Sequence, residues 1–233
     1  MAKLKEIQHW GALTPKEVAR GIEVALQNAQ ELFEEAQLLF VHKHYARASS
    51  LAILSIEETG KVFLLPLLLT TSNGKHHRMI WKGLRDHKQK NSHVSMQMTK
   101  GQKKPITKHS MPCRQSIDTW SNQLEDAKQV GFYTDCTSTK DWGLPSEAVG
   151  EELAQLMMRM ASNSLTKYQG LKKLQSLQYL ELWARMMKGM MDMSSTQTEQ
   201  ALVRFYDEGE KNGVLESGTR KEMDEFLKGP QNP

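Results

Sequence analysis

Apolar residues fall on one face of the first long segment in alternating steps of four and three: Val18, Ile22, Ala25, Ala29, Leu32, Ala36 and Leu39. That spacing is the seam of an amphipathic helix about six turns long. Thr14-Pro15-Lys16-Glu17 supplies its start, with an N-cap, a proline at the first helical position and a capping-box glutamate. His42-Lys43-His44 marks a break. The next segment, Ser49 to Leu65, is apolar on nearly every side, which is the pattern of a buried helix. Pro66 should weaken its last turns, and Asn73-Gly74 should end it. A third helix is predicted over 75–98, with Ile80, Leu84, His87, Asn91, Val94 and Met98 on its seam. There His87 and Asn91 occupy positions where the period asks for apolar side chains.

Lys100 to Pro112 is basic, proline-containing and aperiodic, and reads as a loop. A helix is expected over 114–130, followed by a turn-rich connector over 131–145 with an extended piece at Phe132-Tyr133-Thr134. A long helix then starts at Ser146, with Val149, Leu153, Leu156, Met160, Tyr168 and Leu171 on one side. Further helices are expected over 176–191, 196–211 and 220–228. Strand signals are almost absent and no fixed-period repeat is found, so the expected fold class is all-α.

Composition changes this picture little. The 233 residues, 39% hydrophobic and 25% charged, suit a soluble globular protein with one sizeable core. A net charge of +4 permits a polyanion partner without demanding one. The charged start Met1-Ala2-Lys3-Leu4-Lys5-Glu6 is unlike a signal peptide, and the strongest apolar run, Val62 to Leu69, is far short of the roughly 20 residues that span a bilayer. A cytoplasmic protein with no membrane association is expected. Cys113 and Cys136 fit no zinc spacing. A P-loop, a dinucleotide glycine pattern and a nucleophile elbow are missing. The methionines of the C-terminal third, from Met157 to Met193, read as adaptable core filler or as a forgiving protein-binding groove.

The second helix carries Glu57, Glu58 and Lys61 in its middle. Both acids stand within one turn of the lysine, so both can reach it on one helical face. The set is either an ion-pair network fixing how helices dock or a group of charges offered to a partly dry cleft. The stretch Arg85-Asp86-His87-Lys88-Gln89-Lys90-Asn91 surrounds an inward histidine with three cations. A histidine can move a proton near neutral pH, and Arg and Lys can hold a phosphate. Such a set suits cleavage of an RNA phosphodiester, where the 2′-hydroxyl is the internal nucleophile. A helical di-metal site is disfavoured: the central helices hold no Glu-x-x-His pair, and Lys61 stands where it would repel a metal.

Four pieces in order carry a family likeness. They are Asn28-Ala29; Tyr45-Ala46-Arg47-Ala48 leading through Leu51-Ala52 to Glu57-Glu58-Thr59-Gly60-Lys61; Trp81…Arg85…His87…Lys90; and Phe132-Tyr133-Thr134-Asp135 with Trp142 and Pro145. Over roughly residues 15 to 175 the chain resembles the abortive infection protein V family, bacterial anti-phage proteins of the HEPN superfamily. The resemblance implies a HEPN-like antiparallel helical bundle over 1–175, with a helical extension over 176–233 packed on it. It also implies a cytoplasmic homodimer that halts growth or translation in infected cells, with RNA and a phage-encoded protein activator as partners. Many HEPN proteins are metal-independent ribonucleases whose signature is an Arg followed after four to six residues by His. Here Arg85 to His87 leaves one residue between, and Arg85 to His93 leaves seven. The Glu-Glu-x-Gly-Lys and His-x-x-Lys motifs are the substitute candidates. They give His87, Lys61, Glu57 and Glu58 as catalytic residues and Arg85, Lys88, Lys90 and Asn91 as RNA-binding ones, with no metal and no cofactor. The rival expectation is a non-catalytic module of the same fold that acts by binding a phage or host protein.

Overall fold

The computed structural model describes residues 8–87, 90, 114–136, 141–170 and 176–228. Its first helix, α1 (Pro15–Val41), begins where the capping signals place it. The Thr14 N–H donates to the Glu17 carboxylate at 2.7 Å, and the Glu17 N–H donates back to Thr14 Oγ1 at 3.3 Å. Val18, Ile22, Ala25, Ala29 and Ala36 of the predicted seam are buried. The helix ends at the His42-Lys43-His44 turn, where Lys43 has φ of +62°.

The second helix, α2 (Tyr45–Leu64), is the axis of the molecule, with burial on nearly every side. It packs against α1 and α6 (Glu151–Gly170), and against α4 (Arg114–Phe132). Two of its buried hydroxyls act as ties. Ser55 Oγ donates to Ala29 O of α1 at 2.7 Å, and Thr59 Oγ1 lies 2.7 Å from Ser164 Oγ of α6. Pro66 converts the continuation into a 3-10 turn over Leu65–Leu69, as its missing N–H dictates. Asn73-Gly74 does not end this helix. Asn73 instead N-caps α3 (Gly74–Arg85), its side chain accepting from the His76 N–H at 3.0 Å. Asn and Gly serve helix starts as well as helix stops, so the sequence signal points both ways.

The third helix is shorter than its periodicity predicts. It ends at Arg85, and Asp86 turns to extended backbone with ψ of 119°. Helical backbone resumes at His87 and includes Lys90, whose N–H donates to Asp86 O at 3.3 Å, while Val94, Met98 and the Lys100–Pro112 loop lie outside the described residues. Helix α4 runs antiparallel to α2, with Gly131 set against Ala46 and Lys128 further along against Ser50 and Glu57. A Cβ on Gly131 would come 2.6 Å from Ala46 O, so glycine lets the two backbones meet there.

The connector's extended residues begin at Asp135, just past the predicted 132–134 piece. They are β1 (Asp135–Cys136) and β2 (Trp142–Gly143), an antiparallel pair in which Cys136 faces Trp142. The predicted long helix is divided into α5 (Pro145–Ala148) and α6. On α6, Met157, Met160, Ala161, Leu165 and Tyr168 are buried, while Leu156 faces solvent rather than the core. The last helices are α7 (Leu177–Met186), α8 (Ser195–Lys211) and α9 (Thr219–Lys228).

Three apolar clusters result. One joins Val18 and Ile22 to Leu68, Leu84, Tyr168 and Leu180, with Trp183 packed against it. A second joins Ala36, Ile53 and Ile56 to Leu124, Met157 and Met160. The smallest centres on Phe205 with Leu182 and Leu215. Met157, Met160 and Met187 are buried, which is the filler role. Among the described residues no helix is long and apolar enough to cross a membrane.

Candidate active site

The middle of α2 is buried on all but one half-buried stripe, so a charge off that stripe must find a partner inside. Glu57, 1% exposed, is the most enclosed of them. His87 Nδ1 lies 2.5 Å from its Oε2, Lys128 Nζ of α4 lies 2.9 Å from Oε1, and Lys90 Nζ lies 3.4 Å from Oε2. Lys128 also bonds Glu125 Oε2 at 2.7 Å, one turn back on α4. Lys90 and Lys128 are both buried. Two carboxylates and two ammonium groups therefore balance, and a neutral His87 leaves the cluster without net charge.

Backbone geometry brings these groups together. Lys90 packs its carbonyl directly on α2 at Gly60, where a Cβ would stand 2.5 Å from that oxygen. The glycine of the Glu-Glu-x-Gly-Lys motif thus has a physical reason, because any side chain would lift the 87–90 segment off the helix. Glu125 and Lys128 are three apart on α4 and share the face that meets α2. Burial works against ionisation of Glu125, but bonds from Lys128 and Gln129 and the charges of Lys128 and His87 outweigh it, so its pKa lies below the ordinary carboxylate value.

A carboxylate held between two ammonium groups can only accept, so the proton in the Glu57–His87 contact belongs to Nδ1 of the imidazole. That fixes the tautomer, leaving Nε2 as the unprotonated nitrogen. Half of the His87 side chain, 48%, is open to solvent. A half-exposed histidine oriented by a buried acid through one ring nitrogen is equipped to accept a proton from a bound hydroxyl at the other.

The remaining predicted residues are placed differently. Glu58 pairs with Lys61 at 2.7 Å, partly exposed. Lys61 therefore belongs to Glu58 and not to both acids, while Glu57 turns toward α4 and His87. Arg85 is engaged elsewhere: its guanidinium lies over the Trp10 ring and donates to His9 O. His87 sits beyond the end of α3, in helical backbone that restarts after Asp86. Lys88 and Asn91 lie outside the described residues. Sequence reasoning missed Glu125 and Lys128. In an amphipathic helix a charged pair three apart reads as a solvated face, and only the pairing with α2 identifies it as interior.

Glu57, His87 and Glu125 also place one ligand atom each within 4.8 Å of one another, a loose metal-ligating arrangement. Lys128 Nζ already bridges the two acids, so a divalent ion there would meet a resident cation.

An all-α bundle whose buried central helix holds a histidine through an acid is of the HEPN-like class. The family model described as AbiV, a HEPN family, matches residues 17–166, and the chain belongs to that family of abortive-infection proteins. The match takes in both α2 motif acids, His87, Lys90, Glu125 and Lys128. No curated protein and no solved structure matched the chain.

Proposed function

We propose that this AbiV-family protein is a metal-independent endoribonuclease that blocks translation during phage infection. The observation that supports this reading is the Glu57–His87 pair, a buried carboxylate against Nδ1 of a half-exposed imidazole. Nε2 takes the proton of an RNA 2′-hydroxyl as that oxygen attacks the adjacent phosphorus. The bond to the 5′-oxygen breaks, and this oxygen takes a proton from solvent. The products are a 2′,3′-cyclic phosphate and a 5′-hydroxyl end. Glu57 stabilises the imidazolium that forms, while Lys90 and Lys128 hold its carboxylate in place. The Glu58–Lys61 pair stands beside the step and takes no proton. A homodimer, RNA and a phage-encoded activator belong to the same proposal.

The test is incubation of the purified full chain with end-labelled RNA, with and without EDTA. The expected result is EDTA-insensitive cleavage, lowered on the order of a hundredfold or more in His87→Ala and unchanged in Lys61→Ala. Cleavage that survives His87→Ala at full rate overturns the assignment.

A second reading has its own support. Glu57 gathers three cationic donors from two segments, which is also how a buried knot fixes docking. In that case the protein acts by binding a phage or host protein, and no RNA is cut.

A further inference from the structure

Residues 9–11 lie across the last turns of α3 and are fastened there at several points. Trp81 Nε1 donates to Gly11 O at 2.9 Å, and Arg85 Nη2 donates to His9 O at 2.9 Å. The Arg85 guanidinium stands 4.0 Å from the Trp10 ring centre and 5.0 Å from that of Trp81. The His9 ring meets the Trp81 ring edge-on at 5.8 Å. Arg85 Nη1 also reaches its own helix at Trp81 O, 3.4 Å away. The arginine is thus held by two indole rings and two backbone carbonyls.

Asp86 alone separates Arg85 from His87, so the two Cα atoms are at most about 7 Å apart. Whatever fixes the end of α3 therefore fixes where the imidazole can stand. Ile80 and Leu84 anchor the inner side of α3 in the core, and the strap covers Trp81 and Arg85. We infer that Arg85 is a positioning residue, clamped by Trp10 and Trp81, and that the 9–11 strap sets the Glu57–His87 contact from outside the cluster. In that role its guanidinium positions the imidazole rather than holding a phosphate. The inference deepens the ribonuclease reading by giving the strap control of its base, and its test does not need RNA.

The experiment is a long-range ¹H–¹⁵N correlation spectrum of the imidazoles in the full chain above the histidine titration range. The unsubstituted protein should show His87 as the Nδ1–H tautomer, with Glu57→Gln and His87→Ala identifying the signal. Trp10→Ala and Arg85→Lys should return His87 to the ordinary Nε2–H form, while Trp10→Phe keeps it. Far-UV circular dichroism confirms that each variant retains its helices. With RNA, kcat should fall by up to about a hundredfold in Arg85→Lys at unchanged KM, as misplacement of a catalytic group predicts. Retention of the Nδ1–H tautomer in Trp10→Ala, its absence from the unsubstituted protein, or a raised KM with kcat intact in Arg85→Lys would each overturn the inference. If the unsubstituted protein cuts no RNA, the ribonuclease reading fails alone, and the tautomer still decides this one.

Discussion

Replacing Glu57 with Gln removes the charge that compensates two buried ammonium groups and a half-exposed imidazole. A loss of about 3–5 kcal/mol is expected for a broken buried pair, read by chemical denaturation. His87→Ala should cost much less, because the histidine lies at the open edge of the cluster. The contrast separates the supporting acid from the proposed base. Glu125 sets an acid limb on stability. Its pKa is depressed in the folded state, so its contribution is complete above the ordinary carboxylate value and disappears as pH falls through the lowered one. Glu125→Gln should flatten the acid side of a plot of denaturation midpoint against pH. Of this cluster, Glu57, His87 and Lys90 are legible in the sequence, since each interrupts an apolar pattern or sits in a motif. Lys128 is not legible, because nothing local distinguishes a lysine that faces another helix from one that faces water.

Two glycines set how closely elements approach, and one offers a control. Gly60→Ala would press a methyl against Lys90 O, and Gly131→Ala would press one against Ala46 O and Ser50 Oγ. Both contacts involve backbone, which yields poorly, so each should destabilise by about 1–3 kcal/mol as overpacking does. Gly74, with nothing near its Cβ position, should accept alanine without loss. Thermal melts of the three variants check the ranking. Gly60→Ala should also detach His87 from Glu57, while Gly131→Ala should not. At this scale the sequence tells most about α1, where cap, proline and seam agree. It tells less about α3, since periodicity carries on through Asp86 although the helix breaks there before restarting at His87. The α2–α4 contact is a long-range pairing, and no local pattern encodes it.

For the molecule as a whole, the helices beyond residue 175 share the apolar core of the family-like region. Leu180 and Trp183 pack with Val18, Ile22 and Tyr168, all from the first 175 residues. A chain ending at 175 should therefore uncover that cluster and lose its cooperative melt, even though the family match ends at residue 166. If the protein is a homodimer, light scattering on the full chain should give twice 26.6 kDa. The all-α class was readable from the near absence of strand patterns. How α7 closes over α1 was not, because the apolar face of α7 is compatible with several partners.

The turn between α1 and α2 offers a practical handle. Lys43 adopts a left-handed backbone that a side chain resists by roughly 1 kcal/mol, and glycine accepts it freely. Lys43→Gly would thus furnish a sturdier parent, raised in melting temperature with the Glu57 cluster unaltered. Enfeebled site variants could be built on that parent and assayed while still folded, so that lost chemistry is not confused with lost structure.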